Sequence, residues 1–315
     1  MEPTSTPKNF RHELLKSNQL IDISGSFRPS YGVLRSGYDY SVWLVSVLVI
    51  VPILYILSGR QLPDALLDQL ETYLPKDAAP SRQLLAVGCL AGVFVAASPF
   101  HKLARYLPTV VHELGHAFTA GVLGGRPKNI TISLDTSGLA QINPPITWGR
   151  FRATLFLLAG YPASSIAALA AIMITRDGHP QAWFAFAGAT LAVSIVLLIR
   201  NLWGLLWTLA AVAGSYFGSP LIPLEWIGAV VGGIGGYLAL EAYRHAFMQL
   251  AIIRKFPGSG ADAEKVARLW KINAPFLGFV HLLSVAAIGL YAVYLAVNPY
   301  SPELIDWITG ILQTR

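Results

Sequence analysis

No charged side chain lies within residues 41–59, 83–99, 153–175, 226–240 or 275–297. Each is long enough to cross, or nearly cross, a hydrocarbon layer about 30 Å thick as a helix. Segregation of this kind dictates a polytopic membrane protein. Composition agrees, with 13% charged and 54% hydrophobic residues against about 25% charged in an ordinary soluble domain. The net charge of +6 fits cytoplasmic loops facing anionic headgroups, and no basic-aromatic pattern points to nucleic acid. Phosphate loops, dinucleotide fingerprints and internal repeats are absent from the sequence. Cys89 is the single cysteine, which excludes an internal disulfide and a cysteine-based metal cluster.

The expected architecture is an all-α polytopic membrane protein of about six to eight membrane helices, with one short or partially inserted helix and a small β-hairpin after it. Residues 1–40 read as a basic cytoplasmic arm without the apolar core and cleavage site of a signal peptide, so 41–58 serves as a retained first span. A membrane domain covers 41–300. Within it, 61–74 reads as an amphipathic surface helix, and further spans fall at 83–99, 153–175, 182–199, 202–217, 224–244 and 275–297. The 182–217 run is ambiguous, being too long for one crossing and interrupted only by Arg200-Asn201. The tail 301–315, SPELIDWITGILQTR, reads as an amphipathic interfacial segment. The arm and the 254–271 loop are both basic, which places both in the cytoplasm.

One stretch breaks the apolar pattern: TVVHELGHAFTAGVLGG, Thr109 to Gly125. Pro108 and Gly124-Gly125 punctuate a helix whose sixteen residues, 108–123, reach only about 24 Å, so partial insertion is expected. His112 and His116 stand four apart and project from one helix face, a spacing that grips one tetrahedral Zn²⁺. Glu113, beside them, is placed to take a proton from an attacking water and return it to a leaving amine. Gly115 permits close approach of a substrate or a neighbouring helix. Ionisable groups at bilayer depth cost several kcal/mol each by order of magnitude, which favours a metal site over a coincidental motif. Downstream, ITISLDTSGLAQI (130–142) alternates apolar and polar residues and turns at Asp135 to Gly138, a strand and its return. An exposed strand edge there is suited to hold an unwound peptide by β-augmentation, or to serve as a lid.

VVHELGHAFTAGVLGG, the β segment and the spans that follow resemble the site-2 protease family of intramembrane zinc metallopeptidases. The likeness is strongest to a bacterial branch with DTSGL, AGY, a mid-span RN and a later DA pair. Here these stand at Asp135 to Leu139, Ala159 to Tyr161, Arg200-Asn201 and Asp262-Ala263, so the resemblance covers roughly residues 80 to 295. It implies cleavage of a membrane-anchored protein substrate in or beside the lipid bilayer of a bacterial plasma membrane, with His112 and His116 as zinc ligands and Glu113 as acid/base.

The family's usual third ligand, the aspartate of an LDG motif, has no counterpart: the corresponding region reads LLIRNLWGLL. Asp262 in GSGADAEKVARL is the first candidate to replace it, although an acidic residue at a helix start also complements the dipole. Asp135 in the strand turn, the Glu241–His245 pair and His281 follow. Asn201 is suited to donate its amide to a developing oxyanion, or to join helices, and Arg200 to pair with carbonyls or snorkel. The expected activity is a zinc-dependent intramembrane endopeptidase; a catalytically degenerate scaffold and a transporter are the alternatives.

Overall fold

The computed structural model describes residues 82–98, 101–144 and 148–298. The expected arm (1–40), first span (41–58), surface helix (61–74) and C-terminal tail (301–315) lie outside the described residues.

Two helices form the spine: α1, Arg82–Ala97, and the 32-residue α8, Leu224–Lys255. They touch along their backbones. A Cβ at Gly232 or Gly236 would run into the carbonyls of Leu85 or Cys89, and one at Gly88 or Gly92 into those of Ala229 or Gly233. The glycine repeat of α8 is therefore an intrachain seam, its small residues allowing the close approach that drives helix association in lipid. α5, Gly160–Arg176, and α10, Ala274–Val297, pack against α8 through Ala168, Ile172, Leu238 and Ala292.

α2, His101–Ala104, leads into the motif helix α3, Tyr106–Val122. At 17 residues it is about 25 Å long, the short element anticipated. The hairpin follows as β1, Arg126–Ile132, and β2, Gly138–Asn143, antiparallel, with Ile130 opposite Ala140 and Ile132 opposite Gly138. Strand pairing begins four residues ahead of the alternating segment, past a bulge between Pro127 and Asn129. Ile130 and Ile132 are fully buried against Val110 and Ala117 of α3, whereas Leu134 falls in the turn and is exposed.

The span expected at 153–175 is in fact two helices. α4, Arg150–Leu158, and α5 meet at a 56° bend around Ala159. The reason is Pro162, which lacks the N–H that would bond the Leu158 carbonyl one turn back. The ambiguous 182–217 run is also divided, into α6, Pro180–Leu197, and α7, Leu202–Ala213. Between them the chain pairs with the far edge of β1: Ile130 N–H donates to Leu198 O at 2.7 Å and Arg200 N–H to Ile130 O at 3.2 Å. The Arg200 guanidinium folds back on the end of α6, donating to the carbonyls of Val196, Leu197 and Ile199, so this arginine caps a helix C-terminus.

A nine-residue helix, α9, Asp262–Trp270, joins α8 to α10. Among the described residues two helices, α6 and α10, are long and apolar enough to cross a membrane, a third if the bent α4–α5 pair is one span, and α1 is a shorter apolar helix.

Candidate active site

α3 puts His112 and His116 one turn apart, and the neighbouring helices fix both rings. A Cβ at Gly115 would lie 2.5 Å from Ala163 Cβ and 2.9 Å from the Ala159 carbonyl, so α3 seats directly on the small face at the start of α5. A Cβ at Gly160 would overlap the His112 ring. That imidazole rests on the bare backbone of the α4–α5 bend, with Tyr161 edge-on at 4.4 Å between centroids. The bend also turns the Phe156 carbonyl, which accepts the Ala159 N–H at 3.3 Å, towards the site. His116 Nδ1 lies 2.8 Å from Phe156 O, and because a carbonyl only accepts, Nδ1 holds the ring hydrogen and Nε2 presents its lone pair, the ligand form of histidine.

That lone pair meets two others. His116 Nε2 is 3.1 Å from His112 Nε2 and 3.5 Å from Asp262 Oδ2, and His112 Nε2 is 3.9 Å from the same oxygen. These are the only three His, Cys, Asp or Glu side chains among the described residues whose donor atoms converge as a metal-ligand group. Bonds of about 2.0–2.1 Å to a tetrahedral zinc put two ligand atoms about 3.3 Å apart. The observed edges bracket that separation, and two imidazoles with one carboxylate are a donor set that suits zinc. The residues present fit the ion.

Asp262 reaches the imidazoles from far along the chain because α9 begins at the site. Gly258 and Gly260 have positive φ, 91° and 77°, and turn the loop so that Glu264 closes on it. Glu264 accepts from Gly258 N at 2.5 Å, Ser259 Oγ at 2.9 Å and Gly260 N at 3.0 Å. Burial works against the Glu264 carboxylate, but these donors and Arg268 outweigh it and hold its pKa below the ordinary glutamate range. Burial likewise opposes the Asp262 carboxylate, yet its charged surroundings, Lys265 among them, keep its pKa well below the usual range. Lys265 Nζ holds the other oxygen, Oδ1, at 3.1 Å.

Glu113 is buried on the hairpin side of α3. A Cβ at Gly138 would come within 2.5 Å of Glu113 Oε1, and the Ala140 N–H is directed at the carboxylate. Ladder geometry explains this. Ile130 spends its N–H and C=O on the 198–200 segment, so its partner Ala140 turns its own groups outward. The outer edge of β2, which no strand of the described residues covers, therefore passes over Glu113.

The remaining candidates lie elsewhere. Asn201 Nδ2 donates to Ile132 O at 2.6 Å, and its Oδ1 accepts from Ile132 N at 3.0 Å. Both halves of the amide grip β1, which differs from the oxyanion donor expected from the sequence: Asn201 continues the sheet edge where the backbone re-enters a helix. Asp135 is in the hairpin turn, bonding Ser137 N and Oγ. Glu241 pairs with Arg244 at 3.0 Å and His245 at 3.6 Å, and Arg244 reaches His101 and the Ala96 carbonyl, an ion-pair cluster joining α8 to α1. His281 Nδ1 lies 3.3 Å from Gln249 Oε1. Sequence reasoning gave no role to Tyr161, Gly138 or Lys265; the proline after Gly160-Tyr161 was the one signal for a break at the metal helix.

A helix-borne histidine pair, an adjacent buried glutamate and a distant aspartate on a mostly helical scaffold define a peptidase-like centre. The family model described as Peptidase M50B-like matches residues 85–293, and the chain belongs to that family. No curated protein and no solved structure matches the chain.

Proposed function

We propose that the protein is a zinc-dependent intramembrane endopeptidase that hydrolyses a peptide bond of a membrane-anchored protein. The observation that carries this reading is the convergence of His112, His116 and Asp262 beside the buried carboxylate of Glu113. The two imidazoles and Asp262 would hold the ion. Zinc supplies Lewis acidity there, bringing the pKa of a water from 15.7 to about 7.

Glu113 does the proton work. As the water oxygen bonds to the scissile carbonyl carbon, Glu113 takes the water proton; as the C–N bond breaks, it returns that proton to the leaving nitrogen. Burial beneath the hairpin, against Gly138, holds its carboxylate in one place. The substrate enters as a strand on the outer edge of β2, since a helix has its carbonyls tied up in its own hydrogen bonds and must unwind first. Gly138 keeps that edge close to Glu113. Asn201 holds β1 from behind, so the edge is presented on a fixed sheet.

The chain is a multi-pass protein of the bacterial plasma membrane with a cytoplasmic N-terminus. Because α9 belongs to the basic 254–271 loop, the site opens towards the cytoplasmic face. Glu113→Gln should retain bound zinc and abolish cleavage of a membrane-anchored reporter co-reconstituted in vesicles. Undiminished cleavage by that variant would falsify the assignment.

A further inference from the structure

Attack on a peptide carbonyl places negative charge on its oxygen, and hydrolases aim a fixed donor at that oxygen. The sequence offered Asn201 for the task, but both ends of its amide are committed to Ile132. Other donors near the three ligands are also engaged. Lys265 holds Asp262 Oδ1, His116 Nδ1 faces Phe156 O, and His281 spends its Nδ1 hydrogen on Gln249 Oε1, which leaves its unpartnered Nε2 an acceptor.

Tyr161 is different. It is the second residue after the α4–α5 bend, so its direction is set by the break that also seats His112. Its ring is wedged edge-on between two imidazoles, 4.4 Å from His112 and 5.5 Å from His281, at interplanar angles of 66° and 70°. Apolar residues of α8 and α10, Ala242, Ala246 and Leu282 among them, pack behind it. Its ring contact with His112, one of the three converging side chains, puts Tyr161 at the edge of the proposed metal site. No group among the described residues hydrogen-bonds the hydroxyl. A phenol with an ordinary pKa of about 10 is a donor at neutral pH.

We propose that Tyr161 is a further catalytic residue whose hydroxyl donates a hydrogen bond to the carbonyl oxygen of the scissile bond as that oxygen gains charge. The proposal rests on the hydrolase reading above. When the water oxygen bonds to carbon, the carbonyl π pair moves onto oxygen and shortens its hydrogen bond to Tyr161. When the pair returns, the C–N bond breaks and Glu113 delivers the proton to nitrogen. The tyrosine keeps its own hydrogen throughout. Its contribution is confined to the charged state, so it lowers the barrier without tightening substrate binding.

Tyr161→Phe removes the donor and keeps the ring, which separates catalysis from packing against His112. The full-length variant, loaded with zinc in detergent, should lose about 100-fold in kcat, as loss of one oxyanion donor does. KM and bound zinc should stay at wild-type values. A phosphinic peptide, whose tetrahedral anionic centre resembles the attacked carbonyl, should bind more weakly by a similar factor, a readout independent of turnover. Glu113→Gln is measured alongside. Wild-type cleavage no faster than that of Glu113→Gln means the hydrolase reading itself has failed. Wild-type cleavage far above it, with Tyr161→Phe matching wild type in kcat and phosphinate affinity, overturns the tyrosine assignment alone.

Discussion

The two halves of the ligand set are held by different physics. On α3, His112 and His116 are fixed by close packing: Gly115 lies on Ala159 and Ala163, the His112 ring on Gly160, and the Phe156 carbonyl at the bend orients His116. On α9, Asp262 is fixed chiefly by hydrogen bonds: the local Glu264 clamp over residues 258–260 and a 2.7 Å bond from Trp270 Nε1 to Thr154 Oγ1 of α4. Its apolar face, Ala263, Val266 and Ala267, is buried, but only nine residues long. Packing between membrane helices gives little when pushed and is insensitive to pH. A clamp built on one carboxylate yields to acid. The packed pair on α3 is the floor of the proposed metal site, and α9, held by its clamp, is the hinge that would bring the third ligand.

The largest test of that contrast compares ligand losses. His116→Ala should reduce bound zinc to background, because the fixed pair is broken. Asp262→Asn should leave residual binding that a chelator strips from the variant while wild type resists. Metal analysis before and after chelator treatment reads both, and equal behaviour of the two variants would erase the distinction between floor and hinge.

A smaller effect is expected from Gly160→Ala. The added methyl has nowhere to go but the His112 ring, and overpacking of this kind costs about 1–3 kcal/mol. Thermal unfolding in detergent should show the loss, with zinc affinity falling too because the ring is displaced. Unchanged stability and affinity would mean that the floor is softer than its packing indicates.

The smallest effect concerns the hinge. Because the folded-state pKa of Glu264 is depressed, its contribution is complete above the ordinary glutamate value and is lost as pH falls through the folded value. Hydrogen exchange should report protection of the Gly258 and Gly260 amides at neutral pH that fades on acidification below that ordinary range. Glu264→Gln should lose that protection at every pH, at a cost of about 1.5–3 kcal/mol in local stability, the scale of a hydrogen bond to a charged group. Protection that survives the substitution would show that the loop backbone alone holds α9.

Much of this was legible in the residues themselves. HELGH fixed a histidine pair and its glutamate because helical periodicity is local: residues four apart share a face whatever the rest of the chain does. The alternation at 130–142 announced a hairpin. The 153–175 stretch is bent near Ala159, a break that hydropathy does not register because the missing N–H of Pro162 matters only to one carbonyl. Asn201 was misassigned because its chemistry allows both donation to an oxyanion and strand pairing, and only the position of Ile132 chooses between them.

From the sequence alone came the membrane character, the motif helix and the identity of the groups able to hold a metal or move a proton. Those properties depend on side-chain chemistry and on spacings within a few residues. The tertiary structure decided which aspartate comes nearest the two imidazoles, what Glu113 faces and that Tyr161 lies against His112. Each of these depends on segments tens of residues or more apart being brought into contact, and such juxtaposition is set by how helices pack and bend, with no periodicity along the chain to reveal it.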